Sequence, residues 1–228
     1  MLKFLCFVAV TAFTIVVTSA IDCGNNMCTA RGTQHTLCLY PNNKPAAACG
    51  RVISVGFTDS EKQEIVHAHN YYRARVMKGE EKRGNPGPQP PASNMQKMVW
   101  DNEIANIAQR WANQCKFGHD SCRNVARFYV GQNAAMTSTT GTVTTKPTNI
   151  VEMWYNEVKV MDRNQVPRFT GKDLSNVGHY TQLVWAKSNR LGCGKIIYQT
   201  DAWKHYYVVC NYGPGGNVLT QPIYDIKK

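Results

Sequence analysis

Apolar residues recur along this chain with two different periods. From Thr58-Asp59-Ser60-Glu61, a capping box, Ile65, His69, Tyr72 and Val76 fall at helical spacing up to Gly79. Ile104, Ala108, Trp111 and Cys115 mark a second helix from about Asp101 to Cys115. Ile150, Trp154, Glu157 and Met161 mark a third, from near Asn149 to before Pro167. In the C-terminal third the period changes to two. His179, Thr181, Leu183 and Trp185 alternate with Tyr180, Gln182, Val184 and Ala186, which predicts a strand, and two more strands follow at about 192–200 and 205–212. Helices interleaved with an antiparallel sheet predict an α+β layered domain.

The segments between these elements carry their own signals. Residues 21–50 hold Cys23, Cys28, Cys38 and Cys49 without a helical or strand period, as a stapled N-terminal extension would. Arg83 to Asn94 contains four prolines, which remove donors and fix φ, and reads as an ordered connector. Thr137 to Thr148 lacks bulky apolar groups and reads as an exposed loop. If the last two strands turn at Asp201 to Lys204, Cys193 stands opposite Cys210. Opposed Cβ atoms lie about 4.5–5.5 Å apart, near enough for a disulfide after slight adjustment.

The N-terminus changes the setting of everything downstream. Phe4 to Val17 is an apolar stretch behind Lys3, followed by Thr18 and Ala20, the small residues that signal peptidase accepts. The stretch is shorter than the roughly 20 residues of a membrane helix. The chain therefore reads as exported, with residues 1–20 a signal peptide, 21–56 the cysteine-containing extension and 57–228 the main domain. Cleavage after Ala20 removes one of nine cysteines and lowers the formal charge by one from +11. The even remainder implies disulfides, whose connectivity arithmetic leaves open. The basic charge is spread out without a long run, and export argues against nucleic acid as the partner.

Candidate chemistry is sparse. Glu157 shares an apolar stripe with Trp154 and Met161, and an ionised group there needs a partner. His179 and His119 are the candidates, and histidines gathered near a carboxylate could hold a divalent metal. His67, His69 and His205 read as structural or exposed. There is no Gly-x-Ser-x-Gly elbow, no zinc-protease helix motif and no phosphate loop. The even cysteine count also argues against a nucleophilic thiol.

At Gly178-His179-Tyr180-Thr181-Gln182-Leu183-Val184-Trp185 and at Tyr207-Val208-Val209-Cys210-Asn211-Tyr212-Gly213-Pro214-Gly215-Gly216-Asn217 the chain resembles both signature motifs of the CAP superfamily (cysteine-rich secretory, antigen 5, pathogenesis-related 1). His69-Asn70-Tyr71-Tyr72-Arg73 resembles that family's first-helix motif and Gly131-Gln132-Asn133 its Gly-Glu-Asn motif, while the proline loop and N-terminal cysteines are similar to those of the insect antigen 5 venom allergens. The resemblance implies a three-layer α-β-α sandwich whose cleft holds His119, Gln132, Glu157 and His179, with Gln132 standing where the family has an acid. It implies disulfides Cys23–Cys38, Cys28–Cys122, Cys49–Cys115 and Cys193–Cys210.

Functionally, the resemblance implies a secreted, monomeric, non-enzymatic protein of venom or saliva that binds host extracellular molecules and is recognised by antibodies as an allergen. No cofactor is required on this reading. Zinc at His119 and His179 is the one candidate, weakened by Gln132. The alternative is a carrier of small hydrophobic ligands, fatty acid or sterol, although Ala134 to Pro147 lacks the aromatic residue that sterol binding would use. A metal-dependent hydrolase ranks third.

Overall fold

Side chains that alternate across one antiparallel sheet, covered on both faces, generate a core on each and bury the central strands almost continuously. The computed structural model describes residues 21–24 and 26–228, so the signal peptide expected over residues 1–20 lies outside the described residues. The sheet contains β1 (Arg51–Val55), β3 (Gly131–Thr139), β4 (Arg190–Thr200) and β5 (Trp203–Gly213) in the order β1-β4-β5-β3, all antiparallel. A short β2 (Val99–Trp100) runs parallel to β4. The helices are α1 (Thr36–Leu39), α2 (Asp59–Met77), α3 (Asn102–Ala112), α4 (Pro147–Tyr155) and α5 (Leu174–Leu183).

On one face Val208, Cys210 and Tyr212 of β5 pack with Ile65, Trp154 and Tyr180 of α2, α4 and α5. On the other, Tyr207 and Val209 pack with Ala108 and Trp111 of α3. The arrangement is the three-layer sandwich that the family resemblance implied. Here α3 lies directly on β4: a Cβ at Gly192 or Gly194 would come within 2.3 Å of the α3 backbone at Ala105 or Gln109, so only glycine permits the approach.

The capping box expected at Thr58 is present. Thr58 Oγ1 accepts the Glu61 N–H at 3.2 Å and Glu61 Oε2 accepts the Thr58 N–H at 2.8 Å. The hairpin register also follows the sequence reading, with Cys193 opposite Cys210 and bonded to it. Cys28–Cys122 and Cys49–Cys115 clip the N-terminal segment to the α3 layer, Cys23–Cys38 closes a loop within that segment, and its β1 joins the sheet.

Three local expectations need correction. The strand expected from His179 to Ala186 is mostly helix α5: Val177, Tyr180, Thr181 and Val184 are buried at helical spacing, and nearly continuous burial mimicked alternation. Thr137 to Thr139, expected in a loop, extend β3 by pairing with Tyr206, His205 and Lys204, where β-branched threonine suits a pleated edge. The third helix stops at Tyr155 and continues as a tighter 3-10 turn, Asn156–Val160, which carries Glu157.

Candidate functional site

β3 is the free edge of the sheet opposite β1, and its successive residues Gln132 and Asn133 reach toward opposite layers. On the α3 face, Gln132 Oε1 lies 2.7 Å from Nδ1 of His119, which sits exposed in the turn after α3. Gln132 Nε2 donates to Asp120 Oδ1 and to Asn211 Oδ1, each at 3.0 Å. On the other face, Asn133 Nδ2 donates to the main-chain oxygen of His179 at 3.0 Å and to the Tyr212 hydroxyl at 3.1 Å. The edge strand therefore holds both histidine-bearing segments, one from each layer.

Glu157 finds the partner its apolar stripe demanded. Its Oε1 is 2.5 Å from His179 Nδ1, and its Oε2 accepts the main-chain N–H groups of His179 at 2.9 Å and Tyr180 at 3.0 Å. Trp154 lies nearly parallel to the His179 ring, with centroids 6.0 Å apart and 23° between planes. His119, the other candidate partner for Glu157, hydrogen-bonds Gln132 instead.

This geometry sets the tautomers. A carboxylate only accepts, so His179 has a proton on Nδ1, and in the neutral ring Nε2 keeps its lone pair. His119, facing the carbonyl oxygen of an amide, does the same. Among the described residues neither Nε2 takes a hydrogen bond, and no group of three or more His, Cys, Asp or Glu side chains is placed to hold a metal. Structural zinc takes four protein ligands and catalytic zinc three. His119 and His179 supply two imidazoles, fewer protein ligands than either kind of zinc site takes.

Sequence reasoning missed the residues that orient this site: Asp120, Asn133, Trp154, Asn211 and Tyr212. Asn133, Asn211 and Tyr212 sit inside the quoted motifs, which was the available signal. Elsewhere, α2 presents Lys62, Val66 and Tyr71 to a groove of about 810 Å³ floored by Met98 and Trp100. No described helix is long and apolar enough to cross a membrane.

The profile described as "CAP: Cysteine-rich secretory protein family" matches residues 66–212. Venom allergen 3 of Solenopsis invicta is 50% identical over 226 residues, covering 97% of each chain. Venom allergen 5 of Rhynchium brunneum is 47% identical over 220 residues, covering 96% of each. Among solved structures, NaASP2 with Zn2+ superposes with a TM-score of 0.64 at 31% identity, over 76% of this chain and 89% of that one. BmVAL-1 superposes at 0.66 and 32%, over 75% and 85%. A likeness of this depth, running through almost the whole length of insect venom allergens, places the chain in the CAP, or cysteine-rich secretory protein, family.

Proposed function

We propose that this protein is a secreted, non-enzymatic binder of host extracellular molecules, recognised by antibodies as an allergen. The observation that supports the binding reading is the engagement of both histidines. Each Nδ1 is committed to Gln132 or Glu157, and among the described residues no hydroxyl or thiol hydrogen-bonds either ring as a nucleophile would. The eight described cysteines are all bridged. His119 and His179 offer their Nε2 atoms to a divalent cation, which would add a fixed positive charge between the layers. A solved relative carries zinc, as its description states. Rigid bridges and a basic charge, +11 for the whole chain and one less without residues 1–20, suit a protein that presents a fixed surface to host partners.

The reading is tested with pure recombinant protein assayed against ester and peptide substrates, with and without added zinc. No turnover above the buffer rate is expected. A reproducible rate that disappears in His179→Ala overturns it.

A second reading, carriage of a small amphiphile, has its own observation. The α2 residues Lys62, Val66 and Asn70 line one helical stripe along the groove that Met98 and Trp100 also line, and Lys97 adds a cation. Lys62 is paired with Asp59 of the same lining at 2.8 Å, so Lys97 is the cation that would meet a monocarboxylate whose apolar tail lies against Met98 and Trp100. Native mass spectrometry of gently purified protein is expected to find such a ligand, and Val66→Arg to remove it. Absence of any co-purified ligand together with no saturable palmitate binding would refute carriage.

A further inference from the structure

Hydrogen-bond directions around Gln132 follow from the core outward. Asn211 is fully buried, and its Nδ2 donates to the Ile104 carbonyl at 3.0 Å. Its Oδ1 therefore faces Gln132 and can only accept. Asp120, also buried, has a carboxylate that accepts from Thr36 and Arg123. Both acceptor oxygens stand 3.0 Å from a single atom, Gln132 Nε2, which has one N–H for each. The other end of the amide is then oriented by necessity: Oε1 points at His119 Nδ1 at 2.7 Å and accepts its proton.

We propose that Gln132 is a positioning residue matched to Asp120 and Asn211, holding His119 in the Nδ1–H tautomer so that its Nε2 lone pair is presented outward. An acid at position 132, which the family resemblance would lead one to restore, does not fit this pocket. Glu is nearly isosteric with Gln, so it would set a second oxygen about 3 Å from two oxygens that already only accept, one of them charged. The amide is thus the residue that lets Asp120 act on His119 at one remove, as the outer partners of metal-ligating histidines do. The ligand of His119 Nε2 rests on the cation reading above. The tautomer rests on the hydrogen bonds alone.

The test uses the chain from Ile21 with its disulfides formed, free of metal. Long-range 1H–15N NMR, at a pH where the rings are neutral, reads which nitrogen of His119 carries the proton, and calorimetry with zinc reads affinity. The expected results are an Nδ1–H tautomer in the natural chain, a melting temperature lower by about 5 °C in Gln132→Glu, and zinc affinity in that variant no greater than in the natural chain. A His119 Nε2–H tautomer overturns the proposal. So does a Gln132→Glu variant that melts normally and binds zinc tenfold more tightly. If no variant binds zinc while the tautomer and melting pattern hold, the positioning role stands and the cation reading falls. Should Gln132→Glu fail to fold, the tautomer of the natural chain still decides.

Discussion

Arg73→Met is expected to cost roughly 3–5 kcal/mol and to lower the melting temperature by about 10 °C. Arg73 is 2% exposed and faces main-chain oxygens in place of a carboxylate. Its guanidinium donates to the carbonyls of Gln96, Leu183, Trp185, Ala186 and Ser188 at 2.5–3.1 Å. Burial pushes its pKa down to about 9, which still leaves it charged at neutral pH. Methionine fills the apolar path but leaves the carbonyls of Gln96, Leu183 and Ser188 without a donor, while those of Trp185 and Ala186 keep the main-chain N–H groups of Ser188 and Gln96, and a buried acceptor stripped of its partner carries the full desolvation penalty.

Four of those carbonyls belong to the end of α5 and the turn after it, so the loss should fall on the element that carries His179. Urea melts measure the stability, and amide exchange along α5 locates the opening. Arg73→Lys keeps the charge with three donors on one atom and is expected to fall between. A methionine variant that melts within a degree or two of the natural chain would mean that water satisfies those carbonyls.

Acid is expected to weaken the fold in two separate steps, the first owed to His69. That ring is fully buried: its Nδ1 donates to the Ile65 carbonyl at 2.8 Å, and its Nε2 accepts from the Tyr212 hydroxyl at 2.9 Å. Asn133 Nδ2 donates to the same hydroxyl, which fixes its direction. Burial, with Arg73 one turn along α2, lowers the His69 pKa from 6.5 to about 4. The unfolded chain therefore takes up this proton first. Its contribution to stability is complete above pH 6.5, declines as the pH falls toward 4, and amounts to about 3 kcal/mol.

The second step lies lower. Burial opposes ionisation of Glu81, but hydrogen bonds from Arg83 and Tyr155 outweigh it and hold the carboxyl at about 2. Its contribution is intact above the ordinary carboxylate range near 4.5 and is lost as the pH falls toward 2. An NMR titration of the His69 ring checks the first step directly. A midpoint near 6.5 would show that protonation is tolerated in the core.

The helices α2 and α3, the β4–β5 hairpin and its disulfide register could be read from spacing, because each obeys one period and one local turn. α5 could not. It is buried on several sides, so apolar residues satisfy a strand pattern and a helix pattern together, and the choice fell to the layer it packs against. The break after Tyr155 was hidden for a related reason: Glu157 keeps the stripe of α4 in the sequence, while a 3-10 turn aims it at His179. Likewise His69 and Arg73 could be assigned to a helix and a motif, but Tyr212, which meets His69, and the carbonyls that meet Arg73 lie in segments distant along the chain.

By itself the sequence determined the helices α2 and α3, the β4–β5 hairpin and that the cysteines pair, and its family resemblance pointed to four side chains as a site. Only the tertiary structure decided what those side chains do to one another, because hydrogen-bond direction depends on what the neighbours can still donate or accept. Gln132 reads as a lost acid along the chain. In the fold it is the amide that two buried acceptors require, and its remaining oxygen sets the proton on His119.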